Sequence, residues 1–172
     1  MTKSNFQEQD GRADFDFLIG RWHDHHRRLR ERLKGSTSWE EFEGTTMHRK
    51  ILGELGNISE HLLDRASGRM LAVSLRFFDP KSQQWSIYWA DSVHGTLDTP
   101  MIGGFTQGRG EFYAHEVFEW RYILSRFIWS DITPTSCHWE QAFSADGGKT
   151  WETNWIWDLT RSQEEQPPRP VP

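Results

Sequence analysis

Near the start of the chain, His23-Asp24-His25-His26 sets imidazoles beside a carboxylate. Imidazole changes charge near neutral pH and serves as general acid, general base or ligand contact. On a strand, alternate residues share one side. If Trp22 points into the fold, Asp24, His26 and Arg28 point the same way, unless a bulge intervenes. His23, His25 and Arg27 then face outward. His26 is read as an interior histidine that packs against rings, touches a ligand or moves a proton.

Arg76 in "SLRFFDP" lies between apolar residues, Leu75 and Phe77. A buried guanidinium needs a partner. Glu60 in "ISEHL" and Glu140 in "WEQAF" are the best carboxylates, since both sit mid-strand. They make either an interior ion pair with Arg76 or, with His26, an acid–base set. The alternative for Arg76 is to anchor a ligand's carboxylate or carbonyl. A metal centre is not expected. The cupin pattern wants a glutamate four residues after the second histidine of His-x-His, and Leu29 stands there. Four closely spaced Cys/His ligands for structural zinc are absent too. His48, His61, His94, His115 and His138 do not single out a haem ligand, and no cofactor is expected.

Rings dominate the apolar content, with ten Trp and eleven Phe in 172 residues. Trp85, Ile87 and Trp89 share one strand face, as do Phe127 and Trp129, and Trp155 and Trp157. Rings with a few polar groups make a small-molecule pocket, although plain packing explains most of them. The residues expected at a ligand are His26, Arg76, Trp89, Trp129, Glu140 and Asn154. Asn154 lies beside the last aromatic pair. A bulge in the last hairpin would decide whether Glu140 or Gln141 faces inward.

The elements that hold these residues are strands. Aromatic and β-branched residues suit pleated surfaces. Runs such as "RMLAVSLRFFD", "QWSIYWAD" and "YILSRFIWSDI" are separated by turn chemistry such as "DPKSQ". About nine or ten strands follow, after a short helical turn in "ADFDFLIG". One hairpin turns at Gln107-Gly108. The expected fold is all-β: a single antiparallel up-and-down β-barrel, whose closure removes exposed edges. The barrel spans residues 13–161. Residues 1–12 form a polar, disordered N-terminus, and 162–172 a Pro-rich tail.

A net charge of −5 argues against a general nucleic-acid partner. "HHRRLRER" is a local basic exception, read as a charged strand end. The lone Cys137 rules out an intrachain disulfide and reads as a strand residue. No apolar signal region or membrane helix is visible, so a cytoplasmic protein without a membrane partner is expected.

"SADGGKTW", residues 144–151, fits the Asp-box pattern Ser-x-Asp-x-Gly-x-Thr-Trp of sialidase-type propellers. It occurs once, and the chain is too short for about four four-stranded blades. It is therefore read as the corner between the last two strands.

Gly20-Arg21-Trp22 at the start of the first strand and Arg161 after the last resemble the lipocalin/calycin layout. There the Trp plugs the closed end and the Arg packs over it. With "EFEGT", "GNISEH", "SLRFFDP", "QWSIYWAD" and "WEQAFSADGGKTWETNWIWDLTR", most of 14–161 resembles small bacterial lipocalin-like proteins, a domain of unknown function. The resemblance implies structural roles for Gly20, Trp22 and Arg161. The expected function is binding a small apolar or aromatic molecule, with a homodimer as one assembly. An acid–base enzyme acting on a cyclic or carbonyl substrate, and a filled barrel that contacts a partner, are the alternatives.

Overall fold

Alternating burial runs through the strands of the computed structural model, which describes residues 10–162. The strands are β1 (Gly20–Leu29), β2 (Trp39–Ile51), β3 (Gly56–Arg65), β4 (Gly68–Asp79) and β5 (Gln84–Asp91). They continue as β6 (Met101–Thr106), β7 (Arg109–Phe118), β8 (Arg121–Ser130), β9 (Ser136–Ser144) and β10 (Glu152–Arg161). Each pairs antiparallel with its sequence neighbour, and β1 also pairs with β10, so ten strands close one up-and-down barrel. The hairpin between β6 and β7 turns on Gln107 and Gly108, both at positive φ. The disorder expected of the N-terminus and tail falls mostly on residues 1–9 and 163–172, outside the described residues. Within the expected N-terminal segment, Gly11 and Arg12 belong to a 3-10 turn, Gly11–Ala13, whose Gly11 carbonyl accepts from Trp85 Nε1 at 2.9 Å.

A second 3-10 turn, Asp16–Leu18, seats Phe15 and Leu18 under one end of the barrel. Trp22 is fully buried there and donates from Nε1 to the Leu18 carbonyl at 2.6 Å. The Arg161 guanidinium lies 4.3 Å from the Trp22 ring. It donates to the carbonyls of Phe17 (2.5 Å), Ile19 (2.7 Å) and Pro134 (2.8 Å). Gly20 has φ +120°, and a Cβ there would stand 3.0 Å from Arg161 Nη1. Only glycine takes that turn without strain. This end of the barrel is closed by its own chain.

At the other end the wall is incomplete. β5 and β6 share three register pairs, Trp85–Gly103, Ser86–Ile102 and Ile87–Met101. Beyond Ile87, the segment 92–100 takes the place of a paired strand, tied by the Asp98 N–H to the Trp89 carbonyl at 2.8 Å. The "SADGGKTW" corner also lies at this end. Asp146 accepts from the Lys149 and Thr150 amides at 3.0 and 2.9 Å, and from the Ser144 and Thr150 hydroxyls. Those bonds, the Thr150 hydroxyl first, hold the Asp146 carboxyl well below its usual range.

Candidate functional site

A cavity of about 800 Å³ opens at the incomplete end and reaches down among the rings. Strand alternation makes it. Trp139 from β9 and Trp155 and Trp157 from β10 point inward, with Trp139 and Trp157 rings 4.6 Å apart. Trp89 of β5 and Phe127 and Trp129 of β8 complete an aromatic wall.

The upper wall is cationic. Arg28 ends the inward face of β1 and lies 4.7 Å from the Trp155 ring. Arg32, just beyond β1, lies 4.5 Å from the Phe118 ring. Arg65 ends β3 and donates to Glu40 at 2.6 Å. Burial pushes Arg28 down to about 10, with the like charges of Arg32 and Arg65 adding to it. Carboxylates share the same wall. Asp91 accepts from the amides of Val93 and His94 and from Trp89 Nε1. Glu116 accepts from the Ser125 hydroxyl and is pushed up to about 7, by burial first and then by Asp98.

Arg76 lines the cavity, fully buried, and its partners are neutral. Nη1 donates to Asn57 Oδ1 at 3.0 Å and to Ser59 Oγ at 2.5 Å. Its guanidinium lies 5.2 Å from the Phe15 ring. Burial lowers it to about 9. The expected ion pair with Glu60 or Glu140 does not form. On β3, Asn57, Ser59 and His61 take the inward positions, so Glu60 faces outward and is exposed. On β9, inward Trp139 fixes the parity: Gln141 faces in, and Glu140 faces out beside His138 at 3.8 Å. The register shift of the last hairpin lies on β10, between Thr153 and Trp155, not on β9. It buries Asn154, which accepts from Gln141 Nε2 at 2.8 Å.

His26 is buried, as alternation from Trp22 requires, and stacks on Phe42 at 4.7 Å. It lies behind the wall rather than on it, and the acid–base set with Glu60 or Glu140 is not assembled. Neither ring nitrogen has a partner. Burial, with the charges of His25 and His23, lowers it to about 3.

A different polar chain runs inward from the cavity. Ser74 lines the wall and its Oγ is 3.0 Å from His61 Nε2; His61 Nδ1 is 3.1 Å from Thr46 Oγ1; the Thr46 hydroxyl donates to Asp24. With Asp24 ionised, Thr46 spends its only hydrogen on the carboxylate. His61 therefore donates from Nδ1 and accepts from Ser74 at Nε2. Burial pushes Asp24 up to about 6. Burial and Arg76 hold His61 well below its usual range. Sequence reasoning placed Asp24 inside but missed Thr46, His61 and Ser74, because the chain crosses four strands whose register only the fold supplies.

Among the described residues no cluster of His, Cys, Asp and Glu is arranged to hold a metal ion, and no helix is long and apolar enough to cross a membrane. Cys137 is a buried free cysteine, and burial pushes its thiol up to about 12. No protein-family model matches the chain, and no curated protein matches it in sequence.

Proposed function

We propose that this protein is a lipocalin-like binder of a small, largely apolar or aromatic molecule held in the barrel cavity. One observation carries the reading: a cavity of about 800 Å³ walled by Trp89, Trp129, Trp139, Trp155 and Trp157. Small-molecule sites are concave, mostly apolar and about 300–1,000 Å³, with a few placed polar groups. The ring-rich wall supplies stacking area, and Arg76, Ser74 and Gln141 supply polarity. Native mass spectrometry of freshly purified protein tests it. A stoichiometric small organic species that is lost in Trp155→Ala supports the reading. An unadorned mass, with no Trp quenching by naphthalene derivatives, overturns it.

A second reading, acid–base chemistry, is favoured by the Ser74–His61–Thr46–Asp24 chain. Ser74 would give its proton to His61, with Thr46 and Asp24 stabilising the imidazolium. Turnover of p-nitrophenyl acetate that disappears in both Ser74→Ala and His61→Gln supports it. Turnover unchanged in either variant removes it.

A further inference from the structure

The buried polar atoms without a partner divide unevenly. Among the described residues, those on cavity-lining side chains are Nε of Arg28, Arg65 and Arg76 and Nε1 of Trp129, Trp155 and Trp157. All six are donors. The unpartnered acceptor Asp24 Oδ1 and the unpartnered ring nitrogens of His26 and His48, which include acceptors, belong to residues that do not line the cavity. A buried donor left unmade is costly, so native structures rarely keep several together without a use.

The charges agree with this count. Among the described residues Arg28 and Arg76 make no ion pair, and Arg32 makes none either, whereas Arg65 is paired with Glu40. The guanidiniums of Arg28 and Arg32 rest on rings, Trp155 and Phe118, which hold a cation in place without neutralising it. The wall's carboxylates, Asp91, Asp98 and Glu116, form no ion pair with Arg28, Arg32 or Arg76 among the described residues; Asp91 acts on Arg28, and Glu116 on Arg32, at a distance. Asp91 is engaged by three N–H groups, and Glu116 is bonded to Ser125.

We infer that the ligand is an organic anion, an aromatic ring system bearing a carboxylate, with the carboxylate at Arg28 and Arg32 and the rings against Trp155 and its indole neighbours. This rests on the binding reading above and narrows it to a class. A planar guanidinium matches a carboxylate through paired N–H donors.

The test compares 2-naphthoate with 2-naphthalenemethanol, which keeps the ring and removes the charge. Binding to the full chain is followed by Trp quenching and calorimetry at pH 7.5 and low salt. The inference expects naphthoate to bind at least about tenfold more tightly, the order of a charge-assisted hydrogen bond. Arg28→Met and Arg32→Met each keep an apolar stem on the ring; both should erase most of the preference while the alcohol's affinity stays. Arg28→Lys, which keeps the charge, should restore part of it. Circular dichroism confirms folding of each variant. Equal affinities, or a preference that survives both methionine variants, overturns the inference and leaves the binding reading intact. If neither compound quenches or binds, both fall.

Discussion

At the scale of single residues, the closed end rests on few groups. Arg161 ties together the carbonyls of Phe17, Ile19 and Pro134 and covers Trp22. Arg161→Ala should lower stability by about 2–3 kcal/mol, the size of lost bonds to a charged donor. Urea unfolding measures it. Arg161→Lys should recover less than half, because an ammonium cannot span the three carbonyls as a fork does. Gly20→Ala should cost about 1–2 kcal/mol through its positive φ. These residues were singled out in the sequence by resemblance, through a Gly-x-Trp and a distant Arg, and not by periodicity or composition. Glu60 and Glu140 were misplaced for a physical reason. Burial was inferred from a mid-strand position, whereas the pleat assigns sides by parity. Trp139 beside Glu140 carried that parity. On β3 the inward residues Asn57, Ser59 and His61 are themselves polar, so no apolar alternation marked the side.

At the scale of elements, the wall between β5 and β6 is the weak place. Three register pairs join these strands, and segment 92–100 bridges the remainder. It carries exposed Val93 and Leu97, and Gly95 at positive φ. Limited proteolysis should cut here before the hairpin turns at the closed end, and a bound aromatic carboxylate should slow that cut, as peptide mapping by mass spectrometry would show. Cleavage that starts elsewhere and ignores ligand would contradict this account. The strands were legible from their aromatic runs and turn residues. The gap was not: it depends on β6 being short, and "TPMIGGFT" gives no signal of where pairing with β5 stops.

At the scale of the whole molecule, buried titrating groups act in opposite directions. Burial lowers His26, His48 and His61, so as pH falls below 6.5 the unfolded chain binds protons that the folded one refuses. Their contribution is full above pH 6.5 and declines on acidification, for His26 down to about pH 3. Asp24 and Glu116 are raised from 3.8 and 4.5 to about 6 and 7. The folded chain keeps their protons longer, so their contribution is present in acid and falls as pH rises through those windows. Asp14 and Asp98, raised by burial, act with Asp24 and Glu116, whereas Asp79 and Asp146, held low by hydrogen bonds, act with the histidines. In His26→Phe, stability from urea curves should change less steeply between pH 3 and 6.5 than in the parent; an unchanged slope would show that His26 is not a contributor. The incomplete wall also bears on time rather than strength. If a guest leaves through the gap, segment 92–100 sets how long it stays, whereas the indoles and arginines set how tightly it is held. A segment held more firmly in its observed conformation, with Gly95 kept because alanine is strained at its positive φ, would then slow capture and release together and leave the dissociation constant where it was.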